Sequence, residues 1–246
     1  MAKSKTGAAR TADKAKRPPR KKRGRLRRVL RWVGLGLLGL LLVLLSGVAL
    51  LRVVNPPINY YQAAEWVRHG TLERRWIPLA AMSPHLARSA VAAEDAKFCQ
   101  HAGFDIAAIR AAFAGGAVRG GSTISQQTAK NVFLWQARSW VRKGLEAGFT
   151  ALIELLWGKR RILEVYLNVA EFDTGVFGVA AASRHYFDLP AGDVGPRNAA
   201  RLMAVLPSPK TRDPNALSHT LARRARQIED GARTIAADGR AACFQP

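Results

Sequence analysis

Ala93-Glu94-Asp95-Ala96-Lys97-Phe98-Cys99-Gln100-His101-Ala102-Gly103-Phe104-Asp105 follows an alanine-rich run and sets two adjacent carboxylates, a lysine and a histidine among aromatic residues. Just upstream, Ser83-Pro84 reads as a helix start, with serine as N-cap and proline at the first helical position. The helix predicted from there, Pro84–Asp95, turns Leu86, Ala90 and Val91 to a core and delivers Glu94 at its end. A carboxylate at that point faces a cleft while the core behind holds it. General-base chemistry asks for such a group, fixed near the hydroxyl it deprotonates in a partly apolar setting, which Ala93, Phe98 and Phe104 supply. The same pair also reads as a solvated helix end, and the motif alone does not decide.

Downstream, Asp105 caps a helix in which Ile106, Ile109 and Phe113 follow i, i+3, i+7 spacing, closed by Gly115-Gly116 and Gly120-Gly121. Ser122 is predicted to cap the next helix, which carries Gln126, Gln127, Lys130 and Asn131 on one polar face. Glycines before a helix start expose N–H groups that take an anion, although the Gly-Lys-Ser/Thr of a Walker loop is absent. Ser139 opens a longer helix, Trp140–Trp157, with Leu145, Phe149, Leu152 and Leu156 as its predicted buried stripe. Arg142, Glu146 and Thr150 form a separate line. Arg142, Lys143 and Glu146 read either as exposed ion pairs or as a diphosphate-binding edge. Further helices are predicted over Arg160–Val169, up to Tyr186-Phe187, over Pro196–Leu206 and over Leu217–Ala237. With no convincing period-two strand and no internal repeat, the fold class is mainly α.

Toward the N-terminus the character changes. The net charge is +22, and residues 1–31 hold 14 of the 39 Lys/Arg but only one acid, Asp13. Trp32–Leu51 then runs for 20 residues without a charge or a polar stripe, enough to span a bilayer core of about 30 Å. Lys/Arg number 11 in residues 12–31 against two in 52–71, which puts the N-terminus in the cytoplasm and the remainder outside. The basic arm and the long apolar run exceed a cleaved signal peptide. Four segments result: 1–31 a basic cytoplasmic tail near anionic lipid, 32–51 a transmembrane helix, 52–82 a linker and interfacial segment whose aromatic residues fit either the bilayer interface or packing on the globular domain, and 83–246 that domain. No helix-turn-helix, zinc or aromatic-basic pattern accompanies the arm, so nucleic acid is not an expected partner. Cys99 and Cys243 would pair in an oxidising compartment, although two free thiols fit as well. Without CxxC or a histidine cluster, no metal site is signalled.

Taken in order, EDxxFxxHxGFD, GGSTISQQTAKN, RKxxE, RRILEVYLN, GVFGVAAAxxYF and LMAVLPSP resemble the motifs of glycosyltransferase family 51, the peptidoglycan transglycosylases, over about residues 85–215. The resemblance, of the monofunctional biosynthetic type, implies a lysozyme-like, mostly α head with a small membrane-proximal jaw. The implied reaction is polymerisation of lipid II into β-1,4 glycan with release of undecaprenyl diphosphate, in the bacterial inner membrane with a periplasmic catalytic domain. By position Glu94 matches the catalytic base and Glu146 the second catalytic glutamate. Asp95, Phe98, His101, Ser122, Thr123, Gln127, Lys130 and Asn131 match substrate-binding positions, and Arg142 and Lys143 the cations on the diphosphate. Glu146 then either orients those cations or holds a divalent ion, Mg2+ or Mn2+. The growing glycan strand, the membrane and other cell-wall synthesis proteins are the implied partners.

Asp173, Asn198 and Arg201 depart from the family pattern, which puts local packing in question more than chemistry. Two alternatives stand beside the polymerase: a lytic muramidase with a similar head, and a non-catalytic anchored scaffold of the wall machinery.

Overall fold

A computed structural model describes residues 21–114 and 121–245. The basic arm before Lys21 and the glycine-rich stretch 115–120 lie outside the described residues. The chain divides after Leu44 into two units. The first holds most of helix α1 (Lys21–Leu50), in which the 27 residues Gly24–Leu50 are long and apolar enough to cross a bilayer. The helix starts earlier than the uncharged run because nothing in residues 21–31 breaks it.

The second unit is a helical head with one small sheet. Its helices are α2 (Tyr60–His69), α3 (Pro84–Glu94), α4 (Ile106–Ala114), α5 (Ile124–Phe133), α6 (Trp140–Leu156), α7 (Lys159–Val169), α8 (Val179–Phe187), α9 (Pro196–Val205) and α10 (His219–Ala237). Three strands, β1 (Glu73–Arg74), β2 (Glu171–Asp173) and β3 (Val176–Phe177), form a sheet in the order β1-β3-β2, parallel then antiparallel. At two or three residues each they are too short to leave an alternating pattern.

The core has two centres. Helices α3, α9 and α10 pack together through Leu86, Ala90, Leu202, Met203 and Ile228, all buried. Gly231 of α10 lets α3 approach, since a Cβ there would sit 3.2 Å from the Ala92 methyl. Helices α5, α6 and α7 make the second centre around Ile124, Ile153 and Trp157. Trp157 donates through its indole N–H to the Val48 carbonyl at 2.7 Å, and Arg161 reaches the Leu51 and Val54 carbonyls. Residues 48–54 are thereby fastened to α7.

Two sequence expectations change. Thr123, not Ser122, caps α5: its Oγ1 accepts from Gln126 N, and the Gln126 side chain returns a bond to Thr123 N at 3.0 Å. Such a reciprocal box satisfies two end groups together, and Ser122 has no partner to match it. The buried line of α6 is Glu146, Thr150 and Ile153, while Leu145 is exposed and Phe149, Leu152 and Leu156 are only partly buried. The polar line wins the interior because each of its groups finds a partner there.

The unusual residues are absorbed. Asp173 Oδ2 accepts from the Tyr186 hydroxyl at 2.9 Å. Arg201 donates to Pro214 O at 2.6 Å and Asn198 Oδ1 at 3.4 Å, with its guanidinium over the Phe187 ring.

Candidate active site

Glu94 is the last residue of α3, and Asp95 ends the helix with extended φ −160°. The two neighbouring carboxylates diverge. Asp95 is buried and fully engaged: Oδ1 pairs with His101 Nε2 at 2.8 Å, and Oδ2 accepts the Ile124 N–H at the start of α5 at 3.1 Å. It therefore ties the first motif to the second. Thr123 Oγ1 adds another tie, donating to Gly103 O at 2.6 Å. Gly103 has φ +86°, and a Cβ there would meet Thr150 Cγ2 at 2.8 Å, so only glycine suits the turn.

Glu94 lines, with Asp95, Lys97, Asp105 and Ser122, a cavity of about 440 Å³. Oε2 accepts from Gln127 Nε2 at 2.9 Å. Oε1 receives no hydrogen bond among the described residues; its one cationic neighbour is Arg224 Nη2 of α10, at 3.7 Å. One oxygen is held and the other is left to accept. Gln127 also lines a second cavity, of about 250 Å³, with Tyr61, Lys130, Asn131, Gln136 and Glu171.

Glu146 is buried, with Arg142 Nη1 on Oε2 at 2.6 Å and Lys143 Nζ on Oε1. Burial pushes the Lys130 ammonium below its ordinary 10.5; Glu146 and Glu94 oppose this, and Arg142 and Lys143 add to it. Those couplings bring the second and third motifs into one electrostatic group with Glu94. Beside it, Trp140 and Val141 project from α6, 92% and 70% exposed.

Not every expected residue reaches the cleft. Phe98 is wholly buried, beneath the Lys159 ammonium and against Phe244, so it braces the loop from behind. Thr123 and Asp95 do line the first cavity, with their side-chain oxygens engaged in structural bonds. Asn131 accepts from Gln136 at the rim of the second cavity. A divalent ion fits poorly, because both Glu146 oxygens carry cations and no group of three or more His, Cys, Asp or Glu gathers among the described residues.

The first motif is also clasped from the C-terminus. Cys99 and Cys243 are disulfide-bonded with Cα atoms 5.6 Å apart, Arg240 donates to Ala96 O at 3.2 Å, and Arg88 donates to Gln245 at 2.7 Å. Sequence reasoning passed over Arg224, because it stands in an arginine-rich helix with Arg223 and Arg226 and no spacing singles it out.

Glu94 thus has one oxygen without a hydrogen bond, and Lys130, which couples to Glu94, also couples to Arg142, Lys143 and Glu146. The transglycosylase family model matches residues 62–232. The biosynthetic peptidoglycan transglycosylase of Jannaschia sp. (strain CCS1) is 52% identical over 236 residues, 96% of this chain and 99% of that protein. Those of Rhodospirillum centenum and Caulobacter vibrioides are 47% and 46% identical, covering 88% and 84% of this chain and 96% and 94% of theirs. The chain belongs to the peptidoglycan transglycosylase family. It is a glycosyltransferase with a mainly α, lysozyme-like head.

Proposed function

We propose that this transglycosylase polymerises lipid II into β-1,4-linked glycan strands and releases undecaprenyl diphosphate. The observation that carries the reading is the asymmetry of Glu94, a residue lining the cavity, with Oε2 held by Gln127 and Oε1 buried without a hydrogen bond. Oε1 takes the proton of the acceptor sugar's 4-hydroxyl as that oxygen attacks the donor's anomeric carbon. The bond to the diphosphate breaks with its electron pair on the leaving oxygen, and a single displacement inverts the centre from α to β. Lys130, Arg142 and Lys143 neutralise the departing diphosphate. Glu146 keeps two of those cations in place, so cationic side chains carry the charge work with no bound metal. Trp140 and Val141 give the lipid-linked end an apolar surface beside the cations.

The membrane side follows the same reading: the basic N-terminus in the cytoplasm, α1 through the inner membrane, and the head in the periplasm. The disulfide supports an oxidising location for the head. The cation edge favours this over glycan cleavage, which releases no diphosphate.

The test is full-length protein in detergent with lipid II. Polymer forms with the wild type, and Glu94→Gln lowers the rate by about 10³-fold or more while the protein stays folded. Full activity of that variant, or muropeptides released from mature peptidoglycan without lipid II, overturns the proposal.

A further inference from the structure

Helix α2 is inside out. Its polar residues Gln62 and Glu65 are fully buried: Gln62 closes a capping box with Asn59, and Glu65 takes the Lys210 ammonium. Tyr61 turns inward as well, donating to Glu171 at 2.6 Å with its ring edge-on to Phe177. The opposite face carries Tyr60, Trp66 and Val67, 72%, 52% and 85% exposed, with Ala63 and Ala64 between them. Val53, Val54 and Ile58 extend the apolar surface upstream. A helix in contact with water on its outer side places these residues the other way round.

We infer that the outer face of α2 lies in the headgroup boundary of the bilayer, with Tyr60, Trp66 and Val67 immersed and Arg52 and Arg68 at the lipid phosphates. Three observations choose lipid as the occupant. The apolar surface begins at Val53, three residues after the end of a helix long enough to span a membrane, so the chain keeps it near the boundary. Its side chains are the mixture that settles there, rings with a polar edge beside aliphatic and cationic groups. Arg52 is exposed, Arg68 is exposed although one guanidinium nitrogen pairs with Glu65, and that acid, the one carboxylate of the helix, is fully buried, so the outer face turns no carboxylate toward an anionic surface. Such a helix sets the height of the head above the lipid through a contact the chemistry does not use, and the inference stands apart from the lipid II reading.

The test uses full-length protein in vesicles of phosphatidylcholine and phosphatidylglycerol. A nitroxide on Val67→Cys is compared with one on Gln227→Cys of α10, an exposed position outside the site. The Val67 nitroxide is expected to collide preferentially with oxygen and the Gln227 nitroxide with an aqueous nickel chelate. Water-like collisions at both positions overturn the inference. So does shielding of the Val67 nitroxide from both reagents, which marks a protein partner, or spin–spin broadening, which marks a second copy. Tyr60→Cys serves as an independent position should Val67→Cys fold poorly. No readout depends on turnover, so loss of the polymerase assignment leaves the result intact.

Discussion

Arg224 Nη2 stands 3.7 Å from Glu94 Oε1, the oxygen that receives no hydrogen bond, while the Arg224 Nε–H also lacks a partner among the described residues. Both atoms are buried without a hydrogen-bond partner, and such groups are the ones an entering hydroxyl can satisfy. We expect Arg224→Ala to lower kcat about 10–100-fold and Arg224→Lys to retain part of it. The arginine side chain is 41% exposed, so the unfolding free energy should move by less than about 0.5 kcal/mol. A steady-state lipid II assay beside a denaturant titration separates the two effects.

Asp95 predicts the opposite division. It lines the cavity beside Glu94, but both its oxygens are engaged, joining His101 to the first N–H of α5. Asp95→Ala leaves a buried N–H and an imidazole without their acceptor and should cost about 2–4 kcal/mol. Chemical denaturation reads this directly. An unchanged midpoint would show that water replaces the carboxylate.

Lys130 gives a pH signature. Because burial holds its ammonium below 10.5, alkaline titration strips its charge before an ordinary lysine loses one. Polymerisation should therefore fall off below pH 10.5, and Lys130→Arg should move that limb upward while lowering kcat about tenfold. For stability the sign is reversed. The folded protein gives up this proton before the unfolded chain does, so stability from this group rises with pH between the depressed value and 10.5. A pH–rate profile of both proteins checks the first statement, and unfolding at several alkaline pH values checks the second.

The disulfide closes a loop of 144 residues. The double variant Cys99→Ser with Cys243→Ser should lose about 2–5 kcal/mol, read as a lower denaturation midpoint. Reductant should destabilise the wild type and leave the variant unaffected.

Much of this was legible because the chemistry is carried by contiguous motifs on helices, whose caps and spacing mark where side chains gather. Ser83-Pro84 placed Glu94 at a helix end, and Arg142, Lys143 and Glu146 declared a cluster by i, i+3, i+4 spacing alone. What stayed hidden depends on long-range partners. Arg224 reaches Glu94 through the packing of α10 on α3, which no local pattern encodes. Phe98 reads as part of the apolar setting of Glu94 and as a substrate-binding position, and only its packing against Phe244 and Lys159 shows that it braces the loop from behind. The faces of α2 and α6 were unreadable for one physical reason: hydrophobic periodicity assumes that the outside is water, and both helices bury polar residues whose partners lie far along the chain or within the helix itself.

The clasp behind the first motif has a bearing on timing. Cys243, Phe244 and Gln245 lie beyond α10, and they are the ones that close over Cys99, Phe98 and Arg88. The loop after Glu94 thus waits unlocked until the chain beyond α10 has been made and Cys243 has been oxidised. A chain cut short before Cys243 lacks this lock, so the first motif is fully braced only once α10 and the segment after it have folded.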